Sequence, residues 1–277
     1  MRPLYFGKLS AFHMILLLSY LLVGAFAGLL AGLFGIGGGM VIVPVLVITF
    51  ESLDFSSSVL THMAVATSLA TIAFTSLSSV HTHHKKGAVD WPVVKGLSAG
   101  ILIGAVFGVL TADALSGAGL QIVIGISALL MAAQMGFGLK PKPTRSLPGT
   151  TGLMTAGGGI GWASALFGIG GGSLTVPYLT WCNHPMQRSV ATAAACGFPI
   201  ALVAGISNIV VGWGNSELPE QSLGYVYWPA LIGIVVTSVP FARLGAHLAH
   251  KLSAEKLKKL FAIMLVMVAI KFLTNGL

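Results

Sequence analysis

Long apolar segments constrain this chain more than any other feature. A helix needs roughly 20 apolar residues to cross the hydrocarbon core of a bilayer, and the sequence holds eight segments of about that length. We expect them to form the main transmembrane helices, at residues 11–33, 60–80, 91–111, 120–139, 149–167, 189–213, 225–249 and 257–273. Only 8% of the residues are charged, against about a quarter in soluble domains. The sequence therefore predicts an all-α polytopic protein of the bacterial inner membrane or plasma membrane.

A glycine-rich stretch occurs twice in the chain. Residues 33–39 read LFGIGGG, residues 166–172 repeat these letters, and V-P-x-L follows both copies at the same distance. Further matches join residues 65–67 to 190–192, and Gly108 and Leu120 to Gly245 and Leu257 at a constant spacing of 137 residues. We interpret the pattern as an internal duplication. It predicts two homologous four-helix repeats, 1–139 and 149–277, joined by a basic, proline-rich linker at 140–148.

The two glycine runs are the candidate binding site. A short apolar segment follows each run, at residues 40–50 and 173–181, and is predicted to be a half-helix. Unpaired amides at the positive end of a helix form an anion site. The predicted ligands are the backbone groups of Gly35, Gly37, Gly38, Gly39 and Met40 in one repeat and Gly168, Gly170, Gly171, Gly172 and Ser173 in the other. The alternative is that the glycines serve only close helix packing or a kink without a ligand.

Loop charges predict that the two repeats are inverted. The segment from His81 to Lys86 is basic, whereas its counterpart at 214–224 carries Glu217 and Glu220 and no base. The next pair of loops reverses this, with Asp113 in the first repeat and a lysine cluster at 251–259 in the second. Since basic loops stay in the cytoplasm, the halves should face opposite ways, as in many secondary transporters. The same reasoning places the N-terminus outside.

A few polar side chains supplement the glycine runs. Thr67 and Ser68, with Thr192 at the matching position, are candidate hydroxyl donors to an oxyanion, unless they bond to their own helix. His62 is a candidate ligand group or titrating switch, or a satisfied interfacial histidine. Arg188 is expected either to attract anions or to snorkel to the interface.

The motifs FGIGGG, V-P-x-L, Ala66-Thr67-Ser68-Leu69 and Lys86-Gly87-x-x-Asp90 resemble the TauE/SafE family, the sulfite-exporter-type permeases. The resemblance covers nearly the whole chain. It implies transport of small sulfur-containing anions such as sulfite or organosulfonates. Export is the expected direction, because no carboxylate inside the membrane is available to relay a coupled ion and the membrane potential drives anions out of the cell. The second repeat departs from the family pattern at Ala193, where members often carry serine.

Other functions fit the sequence less well. An enzyme needs a nucleophile–base pair or a metal cluster, and all seven acidic residues fall between or at the ends of apolar segments. We expect no catalytic residues, no metal, no cofactor and no nucleic-acid partner; the expected partners are a small anion and the lipid bilayer. The histidines from His81 to His84 are interpreted as part of a basic loop. Two alternatives remain: a non-transporting membrane component that assists another complex, and uptake of a different small anion.

Overall fold

The computed structural model describes residues 3–34, 38–137, 145–248 and 254–276. These ranges contain ten helices and one two-stranded antiparallel hairpin. The elements are α1 (Pro3–Phe34), α2 (Gly39–Ser52), α3 (Leu60–Lys85), α4 (Trp91–Asp113), α5 (Gly117–Gly136), α6 (Thr150–Phe167), α7 (Gly172–Trp181), α8 (Met186–Val211), β1 (Ser222–Leu223), β2 (Val226–Tyr227), α9 (Trp228–Leu248) and α10 (Ala254–Gly276).

Six of these helices are long and apolar enough to cross a membrane, namely α1, α3, α4, α5, α8 and α9. The prediction of a helical polytopic membrane protein is confirmed. Of the other two expected main spans, α6 is rich in glycine and threonine and falls short of this standard. In α10, the described residues include the apolar stretch Leu265–Thr274. The two half-helices, α2 and α7, lie where the sequence predicted them.

Two predicted boundaries were wrong. The segment predicted as helix from residue 225 begins with the hairpin, in which Ser222 pairs with Tyr227, so α9 starts only at Trp228. The histidines from His81 to His84 are not in a loop, because α3 continues to Lys85. The polar turn at 85–90 is consequently shorter than the sequence suggested.

The helix bundle has two chemically different ends. At one end, which we call the acidic end, α3 begins and α4 finishes, and the Tyr225 hydroxyl donates to Asp113 Oδ1 over 3.0 Å. Glu217 also lies there, where it accepts hydrogen bonds from the hydroxyls of Ser56 and Ser58. At the other, basic end, α3 finishes and α4 begins, close to Lys85 and Lys86.

Glycines allow two helix pairs to pack at close range. Helix α1 runs alongside α9, with Gly28 against the backbone of Ser238. Helix α4 runs alongside α6 in the same manner, with Gly104 against the carbonyl of Gly158. A Cβ on Gly28 or Gly104 would overlap the facing backbone, as expected of helices associated through small residues in a membrane.

Large apolar side chains cover the outside of the bundle. Leu22, Phe107, Leu130 and Val236 are each 60% exposed or more. A soluble protein rarely exposes so much contiguous apolar surface. These side chains therefore suit contact with lipid, while the tightly packed interior surrounds the two glycine runs.

Candidate functional site

The two half-helices begin next to each other in the middle of the bundle. Gly39, the first residue of α2, lies against the carbonyl oxygen of Gly168, so that a Cβ at this position would overlap that oxygen. Met40 and Ser173 are the second residues of α2 and α7, and their Sδ and Oγ atoms are 3.9 Å apart. Met40 and Ser173 also occupy equivalent positions in the duplicated motif. The structure therefore brings the described parts of both glycine runs together.

Both half-helices begin without a side-chain cap. Gly38 precedes α2 in a left-handed conformation with φ of 76°, which a residue with a Cβ adopts only at a cost. Within the described residues, the first amide of α7 that donates to a backbone carbonyl is that of Leu174. Uncapped N-termini leave partial positive charge of about half an elementary charge each. The site therefore concentrates positive potential without any basic side chain.

The glycine runs are enclosed by protein. Gly38, Gly39, Gly168, Gly170, Gly171 and Gly172 are all buried, and Met40 and Ser173 are 7% and 8% exposed. Gly171 packs against α8, where a Cβ would lie 3.3 Å from the amide nitrogen of Gly197. Close packing therefore explains part of the glycine content. Gly35 and Gly37 lie outside the described residues.

Ser68 contacts the site, whereas Thr67 does not face it. The Ser68 hydroxyl donates to the carbonyl oxygen of Gly168 over 2.8 Å, so it bonds across the bundle and not to its own helix. The hydroxyl oxygen of Thr67 accepts from the amide of Tyr227 over 3.0 Å. Thr192 makes the corresponding bond in the other half, accepting from the amide of Asp90 over 3.0 Å. Both threonines therefore fix the start of a neighbouring helix.

The two secondary candidates lie away from the glycine runs. His62 is buried at the acidic end, where its Nε2 lies 3.0 Å and 3.1 Å from the carbonyl oxygens of Ala112 and Leu115. Because both partners are acceptors, Nε2 carries the proton and joins α3 to the end of α4. Arg188 is exposed in the first turn of α8 at the basic end.

A buried polar cluster at the basic end was missed by sequence reasoning. His184 follows α7, and its Nε2 lies 3.2 Å from Oδ2 of Asp90, while its Nδ1 lies 3.2 Å from the Ser189 hydroxyl. The amide of Val93 donates to the other carboxylate oxygen of Asp90, which thereby caps α4. The cluster connects α4 with the segment between α7 and α8. The one signal for this cluster in the sequence was the match of Thr67 with Thr192, because Thr192 bonds to the amide of Asp90.

An aromatic cluster occupies the comparable place at the acidic end. The rings of Phe50, Phe55 and Tyr227 pack with centroid separations of 5.2 to 5.4 Å. One residue beyond Phe50, Glu51 pairs with Lys271 of α10, with Nζ 2.8 Å from Oε2. The cluster joins the end of the half-helix α2 to the start of α9. Burial, together with the neighbouring Asp113 carboxylate, raises the pKa of the adjacent Tyr225 hydroxyl, so this side chain stays a hydrogen-bond donor.

The described residues contain no group of three or more His, Cys, Asp or Glu side chains arranged to hold a metal ion. The arrangement that they do contain is a pair of opposed helix N-termini enclosed in a membrane-sized bundle. Two adjacent uncapped helix N-termini place partial positive charge at this point of the bundle. The site offers no nucleophile–base pair for chemistry.

Comparison with known proteins agrees with this geometry. Residues 20–272 match the family described as Sulfite exporter TauE/SafE. The chain belongs to that family. Among TauE/SafE relatives, a protein of Haemophilus influenzae named "Probable membrane transporter protein" is 41% identical over 254 residues, covering 90% of this chain and 95% of the relative.

More distant TauE/SafE relatives carry similar names. The "Probable membrane transporter protein MJ0441" of Methanocaldococcus jannaschii is 27% identical, with 91% of this chain and 93% of the relative covered. "Probable membrane transporter protein YunE" of Bacillus subtilis is 25% identical, with 92% and 96% covered. No solved structure matches the chain.

The resemblance drawn from the glycine motifs is therefore confirmed. This TauE/SafE member is a multi-pass membrane transporter of the cell membrane, and its relatives are named as transporters and not as enzymes.

Proposed function

We propose that this protein exports small sulfur-containing oxyanions, such as sulfite or organosulfonates, and binds them where the two half-helices begin. The observation that carries the proposal is the contact between Met40 and Ser173, which brings two uncapped helix N-termini together. An anion near both termini interacts favourably with two dipoles at once. Glycine leaves the amides open to such a ligand.

The absence of a basic side chain among these residues suits transport. A buried lysine or arginine would hold an anion too firmly, because charge pairs are strong in a low-dielectric interior. Backbone dipoles supply a weaker field that permits release. The Ser68 hydroxyl, which donates to the carbonyl oxygen of Gly168, is close enough to turn toward a ligand oxygen.

Export is the direction that the membrane potential favours. An anion leaving a negative-inside cell gains about 2.3 kcal/mol per charge for every 100 mV. The acidic side chains described by the structure lie at helix ends or in connections, such as Glu51, Asp90 and Asp113. They are poorly placed to relay a coupled ion through the middle of the membrane.

We further propose that the two repeats are inverted, with the basic end in the cytoplasm. Paired contacts support this arrangement: α1 against α9 corresponds to α4 against α6, and the Thr67 bond corresponds to the Thr192 bond. Lys85 and Lys86 at one end and Glu217 at the other follow the positive-inside rule. The half-helices would then re-enter the membrane from opposite faces.

Substitution of Ser173 by aspartate tests the anion site. Aspartate and asparagine have nearly the same size, so the two variants impose the same steric cost at this 8% exposed position. A carboxylate suits a helix N-terminus, so Ser173→Asp should fold. However, it should repel a bound anion about 4 Å away by ~4 kcal/mol, which is a loss of roughly a thousandfold in affinity.

The measurement is flux of sulfite, thiosulfate, sulfonates and carboxylates in proteoliposomes. Ser173→Asn should keep most of the flux of the preferred anion, and that anion should raise the melting temperature of the wild type and of Ser173→Asn alone. Equal flux through the aspartate and asparagine variants would count against an anion site here. Equal loss of flux in the aspartate and asparagine variants would mean that the substitutions disturb packing and not anion binding.

A further inference from the structure

Helix α3 carries buried hydroxyl groups on the basic side of the glycine runs. This helix is the most buried of the candidate membrane spans. Four of its hydroxyl residues are at most 7% exposed, namely Thr71, Thr75, Ser79 and Thr82. Apolar residues would fill such positions at less cost, because a buried polar group must recover its hydrogen bonds. Thr71 and Thr82 recover theirs by donating to carbonyl oxygens of their own helix, whereas the Ser79 hydroxyl does not.

The hydroxyls continue the side of α3 that faces the glycine runs. Ser68 bonds to Gly168, and Ile72 lies against Gly39, with its Cδ1 2.9 Å from where a Cβ would be. At 100° per residue, Thr75 and Ser79 project on the same side as Ser68. We call Ser68, Thr75 and Ser79 the hydroxyl face; it extends about 16 Å from Ser68 toward the basic end. Lys86, just beyond the helix, falls in line with it.

Internal hydrogen bonds account for only part of the hydroxyl face. The Thr75 hydroxyl donates to the carbonyl oxygens of Thr71 and Ile72, each over 3.2 Å. Ser79 is 2% exposed, and its hydroxyl has no hydrogen-bond partner among the residues that the structure describes. A buried hydroxyl without a partner costs about 1–3 kcal/mol. A ligand that passes by would supply the missing partner.

The equivalent face of the second repeat is apolar. The match between Thr67 and Thr192 aligns α3 with α8. In this alignment Ser68, Thr75 and Ser79 correspond to Ala193, Ile200 and Ala204. All three are fully buried. Hence the hydroxyl face of α3 has no equivalent at these three positions of α8.

We propose that the hydroxyl face lines the path by which the oxyanion travels between the basic end and the glycine runs. This proposal rests on the proposed function. Lys86 would attract the anion, and the hydroxyls of Ser79 and Thr75 would replace part of its hydration shell on the way to Ser68. Neutral donors exchange hydrogen bonds without trapping the ligand, whereas a charged side chain in the path would bind it tightly.

Cysteine modification tests the path directly. The background carries Cys182→Ala and Cys196→Ala, which replace the two buried free cysteines. Ser79→Cys is compared with Ala204→Cys, its counterpart on α8, and with Ala88→Cys in the turn at the basic end. The anionic reagent sulfonatoethyl methanethiosulfonate and its cationic trimethylammonium analogue are added to the cytoplasmic face of inverted membrane vesicles.

The sulfonate reagent itself has the chemistry of the proposed substrate. For each reagent, the rate at Ser79→Cys is divided by the rate at Ala88→Cys. This normalised rate should be at least about tenfold higher for the anionic than for the cationic reagent, a difference of about 1.4 kcal/mol. Ala204→Cys should react with neither. No modification at Ser79→Cys, equal normalised rates for both reagents, or modification of Ala204→Cys from this face would each overturn the proposal.

A flux measurement separates a path residue from a structural one. Ser79→Ala should lower anion flux at least about threefold while leaving the melting temperature equal or higher, because it removes an unsatisfied buried hydroxyl. Unchanged flux would refute a role in the path. If Ser79→Ala is silent while Ser173→Asp blocks transport, the path fails and the glycine site stands; if the reverse holds, the glycine site fails.

Discussion

The contact between Asp90 and His184 should be a measurable link between α4 and the segment that joins α7 to α8. Asp90 caps α4, and His184 follows α7, with 3.2 Å between Oδ2 and Nε2. We expect Asp90→Asn and His184→Ala to destabilise the protein non-additively. Asparagine keeps an oxygen for the Val93 amide, so this substitution removes the charge and leaves the helix cap in place.

The size of the coupling follows from burial. The His184 side chain is 5% exposed and that of Asp90 is 23% exposed. Exposed charge pairs contribute about 0.2–1 kcal/mol, while a hydrogen bond to a charged group contributes about 1.5–3 kcal/mol. A partly buried pair should lie between these limits, with a coupling free energy of about 1–2 kcal/mol.

The assay is a double-mutant cycle on the free energy of unfolding in mixed detergent micelles. The pair of Glu51 with Lys271 is a matched control at the acidic end, since its side chains are 32% and 33% exposed. Its coupling should stay below about 1 kcal/mol. If the changes in the free energy of unfolding caused by the Asp90 and His184 substitutions add to within about 0.5 kcal/mol, the two side chains are not coupled and the reasoning fails.

Two further predictions concern packing and topology. Gly39→Ala should destabilise the protein by about 1–3 kcal/mol, because its Cβ would overlap the rigid carbonyl of Gly168. Gly158→Ala in α6 should be neutral or stabilising in thermal unfolding, since the nearest atom to its Cβ would be the carbonyl oxygen of Gly100 in α4, 3.9 Å away. Equal effects of the two substitutions would contradict the close approach of the two runs. Thiol labelling from outside the cell should reach Ser216→Cys and fail at Lys85→Cys, both exposed positions, and labelling of both from one side would exclude the inverted arrangement.

The sequence was sufficient to locate the half-helices and the glycine runs. Apolar residues resume at Met40 and Ser173 directly after four closely spaced glycines, and α2 and α7 begin at Gly39 and Gly172. Local pattern determines such elements, because glycine interrupts a helix and an apolar run restores it.

Contacts between distant residues were beyond local reasoning. Asp90 and His184 are 94 positions apart, and nothing near either residue indicates its partner. The bond that Thr67 accepts from the amide of Tyr227 was out of reach for the same reason, since the two residues are 160 positions apart. The hairpin at Ser222–Tyr227 was hidden by an apolar sequence that continues smoothly into α9.

The two ends of the bundle differ in the chemistry that closes them, although equivalent segments supply the residues. At the acidic end Phe50, Phe55 and Tyr227 exclude water by packing rings, and such contacts depend little on salt. At the basic end Asp90 meets His184, and a charged contact weakens as ionic strength rises. Opening of the basic end would therefore separate polar groups that water can solvate, while opening of the acidic end would expose aromatic surface. The free-energy cost of opening thus has a different origin at each end, and the hydroxyl face of α3 lies on the side where this cost is electrostatic.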